Sequence, residues 1–220
     1  MKSFYAQFIE PGDVCFDIGA NLGSRTKIFI NLGAKPVVVE PHPLCALELR
    51  KKFEENHNVS LVQVGLSDHI GKEIFNVSSI SDVSTFSEDF IKAYSGQKLV
   101  DWNEQITVDV TTLDQLIQQY GIPKFMKLDI EGYESKALMK LSHPIPFISF
   151  EYNARLLNLA FTSIDILSEL AHYKFRFSPY ESMKYSHDEW IDGAQMKELL
   201  RKIQSDILTG DVYAKLILES

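Results

Sequence analysis

Val14-Cys15-Phe16-Asp17-Ile18-Gly19-Ala20-Asn21-Leu22-Gly23-Ser24 sets the pattern for the rest of the chain. A short apolar run ends in an acid, passes into small residues and opens a segment, Arg25 to Leu32, whose apolar residues have helical spacing. The pattern predicts strand, tight turn and helix. Glycines at such a turn allow positive φ and a close backbone approach to a ligand, and the following helix N-terminus offers unpaired N–H groups. The spacing Gly-x-Asn-x-Gly differs from the Gly-x-Gly-x-x-Gly of dinucleotide binders, and no Gly-Lys-Ser/Thr follows, so the turn is a poor pyrophosphate cradle.

The same rhythm recurs on both sides of this stretch. Residues 1–13 read as a short helix or lead-in that ends at the turn signal Pro11-Gly12-Asp13. Gly33 is placed to stop the first helix, and Pro36-Val37-Val38-Val39-Glu40-Pro41 is a β-branched run closed by an acid and a proline. Leu44 to Asn56 sets Ala46, Leu47, Leu49 and Phe53 against charged neighbours, as an amphipathic helix does. A third strand is expected over Val59 to Leu66.

Gly71 to Val110 breaks the rhythm with a hairpin strand near Lys72 to Val77, a polar stretch around Ser78 to Phe86, and an alternating run Ile106-Thr107-Val108-Asp109-Val110. An insertion over 71–111 suits a substrate-covering loop, and equally an ordinary surface excursion. Thr112-Leu113-Asp114-Gln115 then has the form of a capping box opening a helix to Tyr120. Lys124 to Ile130 reads as a strand running into Glu131-Gly132-Tyr133-Glu134, with a helix through about Leu141. Pro146 to Tyr152 is a fifth strand, followed by a helix over Ser163 to Tyr173, a strand near Phe175 to Ser178, a helix over Ala194 to Ile207 and a last strand over Asp211 to Leu218.

Strands alternating with helices predict an α/β fold, a doubly wound parallel sheet with helices on both faces. Such folds bind ligands beyond the carboxyl ends of the strands, where the strand order switches. Asp17, Glu40, Asp68, Asp129 and Glu151 all fall at or just past those ends, so the fold is expected to gather them along one rim. Attraction of acids to helix N-termini accounts for one or two of them but is strained for all five.

The chain has 220 residues, enough for a single domain over 1–220 with a full core. Hydrophobic residues at 45% and charged residues at 24% exclude a disordered or fibrous chain. A formal net charge of -8 argues against a general nucleic-acid backbone binder. Cys15 and Cys45 lack metal-type spacing and read as reduced core thiols. The N-terminus lacks the apolar core of a signal peptide and no apolar run is long enough to span a bilayer, so a cytoplasmic protein without a membrane partner is expected.

Glu40 stands about twenty residues beyond Asp17, where an acid accepts hydrogen bonds from a ribose diol. With no phosphate cradle, the nucleoside implied is an adenosine bearing a non-phosphate group, and S-adenosylmethionine is the common biological choice. Carboxylates near a sulfonium and an ammonium are electrostatically favourable. Two other readings stay open: an oxidoreductase using a nucleotide cofactor on a similar sheet, and a nucleoside-binding module without chemistry.

Phe16-Asp17-Ile18-Gly19-Ala20-Asn21-Leu22-Gly23, Val39-Glu40-Pro41, Val64-Gly65-Leu66-Ser67-Asp68, Val110-Thr111-Thr112-Leu113-Asp114 and Lys127-Leu128-Asp129-Ile130-Glu131-Gly132-Tyr133-Glu134 together resemble the FkbM-type family of S-adenosylmethionine-dependent methyltransferases. The resemblance spans roughly Val14 to Glu151. It implies a class I, Rossmann-like methyltransferase fold with a mainly parallel seven-stranded sheet and an insertion between the third and fourth core strands. It also implies O-methylation of a hydroxyl on a sugar, glycan or natural product, with a small-molecule or glycan acceptor and no nucleic acid.

On this resemblance Asp17, Gly19 and Asn21 are expected around the methionine end of the cofactor, Glu40 at its ribose, and Ser67 or Asp68 at its adenine. Methyl transfer to an alcohol needs a base, or a metal that acidifies the hydroxyl. Asp129 and Glu131 are the leading candidates, either as an acid–base pair or as ligands of a divalent metal with Glu151 nearby. Glu131 suits a helix-capping role as well. His42, His143 and His187 receive no role.

Overall fold

Each buried run of the sequence is followed by a helix that carries the chain back to the same edge, and right-handed crossovers then make the strands parallel. The computed structural model describes residues 1–96 and 100–218. Residues 97–99 of the expected insertion lie outside the described residues, as do 219–220.

A lead-in helix α1 (Lys2–Tyr5) precedes β1 (Val14–Ile18), α2 (Ser24–Asn31), β2 (Lys35–Val39), α3 (Pro43–Phe53) and β3 (Ser60–Val62). The next segment holds β4 (Gly65–Leu66), β5 (Gly71–Val77), α4 (Glu88–Tyr94) and β6 (Glu104–Thr111). The chain then resumes its alternation with α5 (Leu113–Tyr120), β7 (Phe125–Leu128), α6 (Glu134–Leu138), β8 (Phe147–Asn153), α7 (Leu157–Leu170), β9 (Tyr173–Pro179), α8 (Gly193–Ile203) and β10 (Thr209–Leu216).

The main sheet has seven strands in the order β3-β2-β1-β7-β8-β10-β9. Only β10 runs antiparallel, to β8 on one side and β9 on the other. Strand order reverses between β1 and β7, which pair in parallel from Cys15↔Phe125 to Ile18↔Leu128. That reversal is the switch point at which doubly wound sheets open a ligand crevice.

Period-two alternation gives the sheet two apolar faces. Phe16, Ile18, Met126, Leu128, Ile148 and Phe150 join the larger core with residues of α5, α6, α7 and α8. Cys15 and Phe125 turn the other way, to Tyr5, Phe8 and Phe29, while Val38 meets Leu49 of α3. Cys15 and Cys45 are both free and buried. Among the described residues no helix is long and apolar enough to cross a membrane.

Several boundaries depart from the sequence reading. The expected third strand over 59–66 divides: Ser60–Val62 stays in the main sheet, whereas Gly65–Leu66 leaves it to pair with β6 in a separate three-stranded sheet, β4-β6-β5. Gly65 permits this, because a Cβ there would overlap the Phe86 ring. Helix α4 was not expected; Ser87 caps it by accepting from the Phe90 N–H at 3.1 Å. Helix α7 starts at Leu157 rather than 163, after a single 3₁₀ turn that Asn153 caps, while α6 and α8 stop a turn earlier than their apolar patterns suggest.

Candidate active site

A cavity of about 320 Å³ opens at the switch point, lined from β1, the turn after it, β2, the second sheet and the ends of β7 and β8. Its size and position are those of a small-molecule site. Gly19 makes its floor. With φ 75°, its Cα faces the backbone after β7, and a Cβ would overlap the Asp129 carbonyl. Asp129 N–H in turn donates to Ile18 O at 3.0 Å. The turn after β1 and the turn after β7 are therefore in direct backbone contact.

Glu40 is buried at the end of β2, where its carboxylate accepts from the N–H groups of Asn21 at 2.7 Å and His42 at 2.8 Å. Burial pushes its pKa up to about 7 despite those two donors. Asp17 is buried too and accepts from the Thr26 hydroxyl. Burial raises its pKa, opposed by that hydroxyl and then by Lys127 and Arg25. Asn21 holds a left-handed φ of 48°, which an asparagine tolerates better than most residues. Its amide donates to Asp82, and its carbonyl accepts from Ser81 Oγ at 3.2 Å and Cys45 Sγ at 3.3 Å. The insertion thus reaches over the first turn.

Asp129, Glu131 and Glu151 come together in the lining of the cavity, each offering an oxygen within 4.8 Å of the others. Burial pushes the Glu131 carboxyl well above the ordinary range, and the Glu151 and Asp129 charges add to it. Glu151 is pushed the same way by burial and then by Asp129 and Glu134. Asp129 has a cation beside it: Lys127 Nζ lies 3.0 Å from its Oδ2. Helix α6 begins with no side-chain cap at Tyr133, and the carboxylate that collects N–H groups at this corner is Glu134, from Ile130 at 3.0 Å and Gly132 at 3.4 Å. Glu131 does not do that work; its carboxylate lines the cavity.

Ser67 and Asp68 are placed away from the cavity wall. Ser67 is fully buried and donates to Glu73 at 2.6 Å, and Tyr133 donates to the other Glu73 oxygen at 2.7 Å. Asp68 meets Lys136 at 2.8 Å and His69 at 3.0 Å, and the hydrogen bonds from those two hold its pKa down near 2. The wall beyond Glu40 is made instead by Pro41, Phe75, Ser84 and Phe86. His42 acts as the N-cap of α3, and His143 pairs with Asp114 at 3.4 Å on the surface.

Residues 17–177 match the family model described as the methyltransferase FkbM domain. The chain belongs to the FkbM methyltransferase family. This makes it a methyltransferase, with S-adenosylmethionine as the implied donor, and sets aside the oxidoreductase reading. No curated protein sequence matches the chain. Among solved structures it is similar to precorrin-6y C5,15-methyltransferase from Geobacter metallireducens, at 11% identity over 98% of this chain and 85% of that one, with a TM-score of 0.51. It is also similar to a putative rRNA methylase from Clostridium thermocellum (11% identity, 100% and 94% covered, TM-score 0.47) and to Aeropyrum pernix fibrillarin with bound S-adenosyl-L-methionine (8%, 94% and 68%, 0.49). The first likeness identifies the class I methyltransferase fold.

The FkbM cavity fits such a donor on its own chemistry. Asp17 and Glu40, carboxylates whose pKa values burial raises, favour a ligand carrying a sulfonium and an ammonium. Glu40 keeps acceptor capacity for a diol after taking two N–H groups.

Proposed function

We propose that this FkbM-family chain methylates a hydroxyl oxygen on a sugar, glycan or natural product. The observation that carries the reading is the Asp129, Glu131 and Glu151 cluster in the lining of the donor cavity. An alcohol is a weak nucleophile until its proton leaves, so a carboxylate must stand free to take it. Among the described residues no ion pair holds Glu131 or Glu151, whereas Asp129 is tied to the Lys127 ammonium at 3.0 Å. The Glu131 and Glu151 pair is therefore the base, and Asp129 orients the hydroxyl.

S-adenosylmethionine supplies an electrophilic methyl group on sulfur. The Glu131 and Glu151 carboxylates would take the proton that the acceptor hydroxyl gives up as it is methylated. Asp17, Gly19 and Asn21 are assigned to the methionine end of the donor and Glu40 to its ribose. Pro41, Phe75 and Phe86 replace Ser67 and Asp68 as the adenine-side wall. The segment 71–111, within one domain over 1–220, serves as the substrate cover, supported by the Ser81 and Asp82 contacts to Asn21. A net charge of -8 and an acidic cavity favour a small-molecule or glycan acceptor over a nucleic acid, and two free cysteines suit the cytoplasm.

A second reading keeps the same oxygens. Three carboxylates within 4.8 Å also suit a divalent cation, which takes oxygen ligands and acidifies a hydroxyl. Calorimetry with S-adenosylmethionine, S-adenosylhomocysteine and NAD, followed by transfer assays on sugars and polyketides, tests the proposal. Binding of NAD alone would sink it, and donor binding without transfer to any hydroxyl acceptor would remove the acceptor assignment.

A further inference from the structure

Among the described residues lining the cavity, Arg25 is the one lysine or arginine, and every other charged side chain is a carboxylate. It is the second residue of α2, with a side chain only 9% exposed. Its Nη2 is held by the Glu181 carboxylate and its Nη1 lies 3.1 Å from Met1 Sδ, while its Nε is buried with no hydrogen-bond acceptor. The guanidinium fork is built for two parallel bonds to one carboxylate, and here one of those positions is unfilled.

Glu181 is a weak claimant to that fork. Its side chain is 72% exposed, and an ion pair with so solvated a partner contributes little. The loop that delivers it from the end of β9 holds two non-glycine residues in the left-handed region, Tyr180 at φ 51° and Met183 at φ 53°. Backbone of that kind persists where surrounding contacts impose it.

An S-adenosylmethionine donor has one anionic group, the α-carboxylate of its amino-acid end, and this end belongs beside Asp17, Gly19 and Ser24, which share the cavity wall with Arg25. Resting on the methyltransferase reading, we propose that Arg25 receives the donor's α-carboxylate and that Glu181 is an internal stand-in, holding the guanidinium until the donor displaces it. Glu181 competes with the donor for a single cation, so the apparent affinity is set by the fraction of molecules in which Arg25 is free. The exposed carboxylate then swings into solvent, so the 180–183 loop reports whether the cavity is charged.

Two ligands separate this role from the rest of the site: S-adenosylmethionine, and 5′-methylthioadenosine, which keeps the adenosine and the sulfur but lacks the amino-acid end. By calorimetry, Arg25→Gln should weaken S-adenosylmethionine about ten- to a hundredfold, as loss of a charge-assisted hydrogen bond does, and leave 5′-methylthioadenosine as in the wild type. Glu181→Gln should tighten S-adenosylmethionine about three- to tenfold, again without changing 5′-methylthioadenosine. Equal loss of both ligands in a folded Arg25→Gln variant, or no gain for S-adenosylmethionine in Glu181→Gln, overturns the proposal. If Arg25→Gln fails to fold, the exposed Glu181 position decides alone. A wild-type chain that binds neither ligand removes the methyltransferase reading itself, whereas wild-type binding with unaltered variants removes only the Arg25 and Glu181 roles.

Discussion

Lys127 Nζ lies 2.9 Å from Asp211 Oδ1, an ion pair closed inside the sheet with both side chains under 10% exposed. Lys127 comes from β7 and Asp211 from the antiparallel β10, which do not pair with each other; β8 runs between them. The same ammonium reaches Asp129 at the edge of the cavity. Burial works against the charged lysine, but Asp129 and Asp211 outweigh it and hold its pKa well above the ordinary value. One buried cation thus joins the sheet interior to the acid cluster.

Removing that cation should be costly to the fold. Lys127→Met leaves Asp211 buried without its partner, and breaking a buried pair in this way destabilises by about 3–5 kcal/mol. Urea unfolding measures it. The double variant Lys127→Met with Asp211→Leu should recover most of the loss, because two apolar residues replace the pair. A single variant as stable as the wild type would show that the pair does not matter.

The acid cluster should control turnover rather than donor binding. Glu131→Gln and Glu151→Gln should each lower kcat by about 10²–10⁴-fold, the range that general bases contribute. Donor affinity should stay within about threefold, under 1 kcal/mol. Asp129→Asn should cost less than either, since Asp129 shares its charge with Lys127. Activity lost to a chelator and restored by magnesium or manganese would assign the cluster to a divalent cation instead.

Glu40 should govern every ligand that carries the ribose. Glu40→Ala should weaken S-adenosylmethionine, S-adenosylhomocysteine and 5′-methylthioadenosine alike, by about ten- to a hundredfold. Asp17→Ala should weaken donor binding as well. Unchanged affinity in both variants would remove the cavity at the switch point as the donor site.

Ligand-free stability should fall as pH rises through the carboxylate window. Burial holds Glu40 and Glu134 at about 7 in the folded chain, up from 4.5. Between those values the native state keeps protons that the unfolded state has released, so the stability they confer is full below the unfolded pKa and lost as pH passes about 7. Tm should therefore drop between about pH 5 and about pH 7.5. Saturating S-adenosylmethionine, by bringing positive charge beside Glu40, should flatten the drop. A Tm that climbs steadily across this window in the empty protein would contradict the burial of these acids.

The alternation of strand and helix, and the acids at strand ends, were legible because they are local. Asp17, Glu40, Asp129, Glu131 and Glu151 share one cavity wall, as a periodic pattern and a parallel sheet require. What escaped depends on distant partners. Glu181 meets Arg25 across 156 residues and Asp211 meets Lys127 across 84, and no spacing rule connects either pair. Asp68 ends its strand as expected, yet that strand belongs to the second sheet, so its carboxylate turns to Lys136. The alternation over 72–77 did hold a usable signal: Phe75 lies on the same face of β5 as Val77 and reaches the cavity.

Gly19 bears on how this scaffold can diversify. Its Cα rests against the Asp129 carbonyl, so no side chain larger than hydrogen fits between the turn after β1 and the turn that carries Asp129 and Glu131. That seam leaves no room for mutational drift. A saturation library should therefore tolerate nothing but glycine at position 19.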